Sequence, residues 1–171
     1  MTRTLSFLLL FAVSQIGLFG KVFHVYSPSS KENALWVVKA IPQGEGLKLE
    51  ASEKVEFDFS GRVITAHPSK PLLYVTATGG DPGKVPGAVV FLNKDGSYQK
   101  HQKVNFNDGA CYMTIDKENR HILGVSYRNG RLNVYPLDDN GIPGKAITTI
   151  DEGKREAHCV LLPPDGKNIY V

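Results

Sequence analysis

The segment YMTIDKENRHILGV, residues 112–125, consists of two short apolar runs on either side of a polar turn. Similar segments precede and follow it, VITAHPSKPLLYV at 63–75 and CVLLPPDGKNIYV at 159–171. Aligned at the last residue of their first apolar run, the three segments are 49 and 47 residues apart. Self-similarity at a period of this size is typical of repeat architectures, and the fold prediction therefore rests on this spacing.

A further hairpin pattern follows each of the first two segments, GAVVFLNKDGSYQKHQKV at 87–104 and GRLNVYPLDDNGIPGKAITTI at 130–150. Dipeptides that tolerate positive φ favour hairpin turns between the apolar runs. These turn signals are Asp95-Gly96, Asn107-Asp108-Gly109, Asn129-Gly130, Asn140-Gly141 and Asp165-Gly166. No long segment after residue 20 keeps a helical apolar period. The pattern therefore predicts an all-β protein with four short antiparallel strands in each repeat.

A repeat of four antiparallel strands in just under fifty residues is typical of one blade of a β-propeller. The predicted blades are 21–57, which is incomplete, 62–109, 110–156 and an incomplete unit at 157–171. A ring needs about four to eight blades, so we expect the chain to be an N-terminal fragment of about three blades. A small two-sheet sandwich is the alternative, and the internal repeat argues against it.

The N-terminus has the layout of a secretory signal. Arg3 precedes the uncharged stretch LSFLLLFAVSQIGLF, residues 5–19, which is shorter than the ~20 residues that span a bilayer. We predict a signal peptide over residues 1–20, with an uncleaved anchor or a buried first strand as alternatives. The expected location is periplasmic or secreted, with no membrane association once the signal is removed.

The composition indicates a globular domain and excludes several partner classes. Lys and Arg number 20 and Asp and Glu 17, a net charge of +3, and the basic residues are dispersed, so we expect no nucleic-acid partner. Cys111 and Cys159 lack zinc-ligand spacing, and both are predicted to be free thiols. No phosphate loop, nucleotide fingerprint or HExxH motif is present, so no cofactor and no metal are expected.

Two stretches of the chain resemble a known family, ILGVSYRNGRLNVYPLDDNGIPG at 122–144 and EAHCVLLPPDGKNIYV at 156–171. They are similar to the strand–Tyr-x-x-Gly–strand hairpin and to the Pro-Asp-Gly blade start of the seven-bladed propeller lactonases, a family that includes 6-phosphogluconolactonases. The resemblance covers residues 21–171. It implies a lactone hydrolase in which water attacks a sugar-type lactone ester. It also implies a small-molecule lactone or sugar acid as partner, no cofactor, and a monomer when complete.

The resemblance also suggests which residues form the site. His158 lies at the start of a predicted innermost strand and matches a family histidine proposed to be catalytic, and imidazole titrates near neutral pH. Glu156 is predicted to orient the imidazole or share its proton, and Arg155 to bind an anionic group. Tyr112 and Tyr127 are predicted to contact the substrate. The other histidines, His24, His67, His101 and His121, are interpreted as structural or surface residues.

The sequence departs from the family pattern at two places. Gly109-Ala110-Cys111-Tyr112 stands where members often have Gly-Pro-x-His, and Glu156-Ala157-His158 where many have His-x-His. The substrate therefore stays open. A non-catalytic binding propeller and a muconate-type lactone cycloisomerase are the alternative functions.

Overall fold

The structure is a computed structural model, and it describes residues 21–151, 153 and 156–171. The predicted signal peptide and Arg155 lie outside the described residues. Within the described residues there are eleven strands: β1 (Phe23–Ser29), β2 (Ala34–Gln43), β3 (Gly46–Glu56), β4 (Val63–Ala66), β5 (Leu72–Thr76), β6 (Val85–Leu92), β7 (Tyr98–Phe106), β8 (Tyr112–Ile115), β9 (His121–Ser126), β10 (Arg131–Pro136) and β11 (Thr148–Asp151).

The strands form three sheets in which every neighbouring pair is antiparallel. The first sheet has the order β1-β2-β3, and the second and third are four-stranded meanders, β4-β5-β6-β7 and β8-β9-β10-β11. The all-β prediction with four-stranded antiparallel units is thus confirmed. Over the described part of the chain, no helix is long and apolar enough to cross a membrane.

Burial explains which strands the sequence revealed. Strands β5 and β9 are buried along almost their whole length, and both appear in the sequence as continuous apolar runs. Strand β3 is exposed at every residue except Val55, and its sequence GLKLEASEKVE has no strong apolar signal. It was not predicted because backbone pairing with β2, rather than apolar alternation, places it in the sheet.

Most of the predicted turns are present, and one has another role. Asp95-Gly96 closes the β6–β7 hairpin, and Asn129-Gly130 closes the β9–β10 hairpin. Asn107-Asp108-Gly109 was expected to close a hairpin, but it connects β7 of the second sheet to β8 of the third. The hairpin expectation was wrong there, because the segment lies where the predicted units 62–109 and 110–156 meet and the same turn residues suit either kind of connection.

The second and third sheets are in contact through their first strands. The hydroxyl of Thr65 in β4 donates a 3.0 Å hydrogen bond to the carbonyl oxygen of Met113 in β8. Further out, the rings of Phe106 and Tyr135 meet edge to face at 5.2 Å. One apolar cluster includes buried residues of all three sheets. Burial between successive sheets is how propeller blades exclude water from their apolar faces.

The segment AHCVLL at 157–162 was expected to be a strand, but it forms only an isolated bridge. Leu161 and Tyr170 make an isolated antiparallel bridge, with reciprocal backbone hydrogen bonds of 2.8 and 3.0 Å. Pro163 and Pro164 follow directly and supply no backbone N–H groups, which shortens the ladder. Val160 is nevertheless fully buried in a second apolar cluster against the third sheet.

Candidate active site

A cleft lies at the end of the second and third sheets where β5 and β9 finish and β8 begins. Its volume is about 300 Å³. All the lining residues lie outside the strands: Thr78, Gly109, Cys111, Tyr127, Arg128 and His158. Rigid strands therefore present the lining residues from loops, an arrangement common at binding and catalytic sites.

A buried polar network fixes the β9–β10 hairpin that carries Tyr127 and Arg128. Asp108 is 3% exposed, and its carboxylate accepts hydrogen bonds from Asn129 Nδ2 at 2.6 Å and Asn133 Nδ2 at 2.9 Å. Burial of a carboxylate is tolerated when its oxygens are hydrogen-bonded. The hairpin is therefore tied to the connection between the second and third sheets.

The same connection approaches the second sheet closely at Gly109. A Cβ atom on this residue would lie 2.2 Å from the carbonyl carbon of Thr78 and 2.4 Å from the amide nitrogen of Gly79. No side chain fits at such a distance, so only glycine allows the two backbone segments to meet. This contact forms one wall of the cleft.

The aromatic part of the cleft is a pair of rings. The imidazole of His158 lies over the phenol of Tyr127, with ring centroids 4.5 Å apart and an angle of 30° between the planes. His158 is exposed, and Tyr127 is 43% exposed. The backbone N–H of Glu156 donates a 2.9 Å hydrogen bond to the Tyr127 carbonyl oxygen, which holds the segment before His158 against the hairpin.

The thiol of Cys111 links the start of β8 to the His158 segment. Its Sγ donates to the carbonyl oxygen of Ala157 at 3.0 Å and lies 3.6 Å from that of His158. Burial raises the pKa of the Cys111 thiol, and nearby Cys159 raises it further. The sulfur therefore stays protonated near neutral pH and acts as a hydrogen-bond donor. Both cysteines are free.

The predicted site residues separate into two groups. His158 and Tyr127 meet in the cleft. Glu156 is exposed, has a φ of 89° and is not among the lining residues. Tyr112 packs against the second apolar cluster instead, and its neighbour Cys111 lines the cleft. The position of Arg155 is not described.

Sequence reasoning missed Thr78 and Arg128. A signal for the first was available, because Thr78 and Tyr127 are separated by the same 49 residues as the first two repeat segments. Cys111 and His158 are likewise separated by the 47 residues of the next interval. The cleft is thus lined by two pairs of repeat-equivalent positions. The Arg128 signal was weaker, since the family-like Tyr-x-x-Gly hairpin leaves this position unspecified.

Together the lining groups supply an imidazole, a phenol, a guanidinium and a thiol at one open cleft. An imidazole can transfer a proton near neutral pH, and a guanidinium can bind an oxyanion. Among the residues described, no cluster of His, Cys, Asp and Glu is arranged to hold a metal ion.

Comparison with known proteins agrees with this architecture. Residues 27–171 match the family model described as "Lactonase, 7-bladed beta-propeller". The chain is 26% identical over 145 residues to 6-phosphogluconolactonases from two strains of Klebsiella pneumoniae. The match covers 85% of this chain and 41% of each relative, so the chain spans less than half the length of the curated relatives it matches.

The fold is also similar to that of a solved structure, the periplasmic gluconolactonase PpgL of Pseudomonas aeruginosa. The TM-score is 0.70 at 13% sequence identity, over 87% of this chain and 46% of that chain. At that identity the likeness concerns the fold alone. Because the family model spans most of the sequence, the chain belongs to the seven-bladed β-propeller lactonase family.

Proposed function

We propose that the protein is a lactone hydrolase that opens a sugar-type lactone with water. The observation that carries this proposal is the ring pair of His158 and Tyr127 in an open cleft. Membership of the lactonase family supports it, as do the Klebsiella pneumoniae relatives named 6-phosphogluconolactonase. The product is a sugar acid, and the chemistry needs no cofactor.

His158 acts as the general base in this proposal. Its imidazole accepts a proton from water while the water oxygen adds to the lactone carbonyl carbon. The bond between the carbonyl carbon and the ring oxygen then breaks. The imidazolium of His158 donates the proton to the departing ring oxygen, so one lactone and one water give one hydroxy acid. The Tyr127 ring limits the orientations of the imidazole by packing against it.

The remaining predicted residues have weaker structural support. Glu156 lies two residues before His158, and we keep it as a candidate for orienting the imidazole. Arg155 stays a candidate for binding an anionic group, and Tyr112 a candidate for contacting the substrate from beside the cleft.

We further propose that the chain provides the N-terminal blades of a longer propeller, divided at 21–57, 62–109, 110–156 and 157–171. The chain covers 41% of a curated relative and 46% of a solved structure, which supports the proposal that it is part of a longer propeller. We propose that the complete propeller is a monomer. A periplasmic or secreted location is supported by the apolar stretch at 5–19 and by the periplasmic neighbour.

The test is hydrolysis of a lactone panel by the full-length protein and by the variant His158→Ala. We expect the variant to lose at least about a hundredfold in kcat/KM, because general-base assistance contributes ~10²–10⁴-fold. His101→Ala is the matched control, since this imidazole is also exposed but lies on β7, away from the cleft.

Several outcomes would contradict the proposal. If His158→Ala hydrolyses lactones at the wild-type rate, His158 is not the general base. If that variant unfolds, His158→Gln provides a second test at nearly constant volume. A wild-type protein that hydrolyses no lactone favours the binding propeller, and one that isomerises muconate-type lactones favours the cycloisomerase.

A further inference from the structure

Arg128 presents a positive charge to the cleft. No carboxylate oxygen of the described residues lies within 4.0 Å of its guanidinium, and within the same part of the chain it makes no side-chain hydrogen bond. Arg131, three residues later in the same hairpin, pairs with Asp151 at 2.9 Å and lies 3.8 Å from the Asp108 carboxylate. Among the described residues the two arginines therefore differ: Arg131 is paired with carboxylates of the fold, whereas Arg128 lines the cleft without a carboxylate partner.

The backbone around Arg128 is held in place although the side chain is exposed. The preceding residue, Tyr127, packs on His158, and the following residue, Asn129, donates to the buried Asp108 carboxylate. The Gly130 N–H closes the turn with a 2.9 Å hydrogen bond to the Ser126 carbonyl oxygen. Only the side-chain torsions of Arg128 are left to be ordered when a ligand binds.

The guanidinium lies against the opposite wall of the cleft, at the connection after β5. A Cβ atom on Gly79 would be 3.8 Å from Arg128 Nη1, which is ordinary contact distance. The guanidinium of Arg128, which belongs to a hairpin of the third sheet, thus lies beside a connection of the second sheet. It lines the same cleft as the imidazole of His158.

We propose that Arg128 selects lactones that carry a second, anionic group, a phosphate or a carboxylate, and that it binds this group while His158 faces the lactone ring. The proposal rests on the proposed lactone hydrolysis. A guanidinium suits the task because its fork of N–H donors matches two oxygens of a phosphate or carboxylate. Arg128 is a specificity residue here, and the proton transfer stays with His158.

The experiment compares three lactones of similar ring structure: uncharged glucono-1,5-lactone, 6-phosphoglucono-1,5-lactone, and a sugar lactone with a free carboxylate. In the full-length protein, Arg128→Gln is expected to lower kcat/KM for an anionic lactone by about 10- to 100-fold, mainly through KM. The value for the uncharged lactone should fall by a clearly smaller factor, so that the preference for anionic lactones decreases. Arg128→Lys should recover part of the loss, because it restores the charge without the fork.

Arg120→Gln is the control, because it removes the same charge from an exposed residue of the β8–β9 turn, which is not part of the cleft lining. An equal loss on charged and uncharged lactones would show that Arg128 acts structurally, and no loss on any anionic lactone would overturn the proposal. The two anionic substrates separate the sources: a loss confined to one of them identifies phosphate or carboxylate as the group selected.

A binding measurement separates this inference from the proposed catalysis. Glucose, glucose 6-phosphate and glucuronate are stable probes whose dissociation constants can be measured by calorimetry. Tighter binding of a charged probe that is lost in Arg128→Gln supports the anion site even if no lactone is hydrolysed. Hydrolysis of lactones together with equal binding of all three probes would overturn the anion site and leave the hydrolase proposal intact.

Discussion

His67, at the end of β4, uses its imidazole as a buried acceptor. Its Nδ1 receives the backbone N–H groups of Ser69 and Lys70 at 3.1 and 3.0 Å, and the residue is 5% exposed. One repeat later Asp116 has the same role, with Oδ1 accepting from the N–H groups of Arg120 and His121. The turn after the first strand of each of these two sheets is thus closed by an acceptor side chain.

Protonation of His67 would place a hydrogen on the accepting nitrogen. Burial lowers its pKa below the ordinary 6.5, and the Lys70 charge lowers it further. The unfolded chain therefore binds this proton more readily, and the free energy of unfolding falls as the pH drops below about 6.5. We expect His67→Asn, whose amide oxygen can accept the same N–H groups, to weaken this pH dependence. Urea unfolding of the wild type and of His67→Asn at pH 7.5 and 5.5 measures this pH dependence. If both proteins lose the same free energy of unfolding between the two pH values, the prediction is contradicted.

Asp108 gives the second prediction at the residue scale. In Asp108→Asn one carboxylate oxygen becomes an NH₂ group that faces the amide donor of Asn129 or Asn133. The free energy of unfolding should fall by about 1–3 kcal/mol, because a buried donor loses its acceptor. Asp151→Asn is the control; its pair with Arg131 is exposed, so only a small change is expected. Denaturant titration of both variants measures the free energy of unfolding. Equal losses in Asp108→Asn and Asp151→Asn would contradict the role given to the buried network.

At the scale of elements, the cleft depends on how closely the β5–β6 and β7–β8 connections approach. Gly109→Ala forces a methyl group into the backbone at Thr78, so the connections must separate. We expect a loss of about 1–3 kcal/mol in the free energy of unfolding, the usual range for overpacking. Gly46→Ala is the matched control, since a Cβ there would meet only the Gln43 carbonyl oxygen, at 3.8 Å. Comparable thermal stability of the two variants would contradict the close approach.

At the scale of the whole molecule, large apolar side chains are exposed on the hairpin around the Leu161–Tyr170 bridge. Leu161 and Tyr170 are each 58% exposed, and Ile169 and Val171 are 47% and 49% exposed. Clustered exposed apolar side chains promote association. We therefore expect the 171-residue chain to self-associate, and a blade packed on this hairpin would cover the same side chains.

Sedimentation velocity over a range of concentrations checks this expectation. Replacing Leu161 and Tyr170 by serine should lower the degree of association. Leu49→Ser, at a similarly exposed residue of β3, should change it less, because β3 lies on the first sheet, away from this hairpin. A chain that stays monomeric at every concentration would contradict the prediction.

The sequence alone determined the all-β class, the repeat and most of the strands. Apolar alternation and glycine-containing turns are local signals, and strands such as β5 and β9 carry them strongly. The pairing of His158 with Tyr127 could be expected only in part, because repeat spacing indicates equivalent positions but no distances. Strand β3 was not predicted, because nearly all of its side chains are exposed and its sequence therefore has no strong apolar signal.

Only the tertiary structure decided which connections meet. The burial of Asp108, the contact of Gly109 with Thr78 and the place of Arg128 in the cleft all join segments that are distant in sequence. Local pattern assigned Asn107-Asp108-Gly109 to a hairpin because the same residues favour any tight turn. Whether such a turn closes a hairpin or connects two sheets depends on the partners that the folded chain brings to it, and these are not encoded in its local sequence.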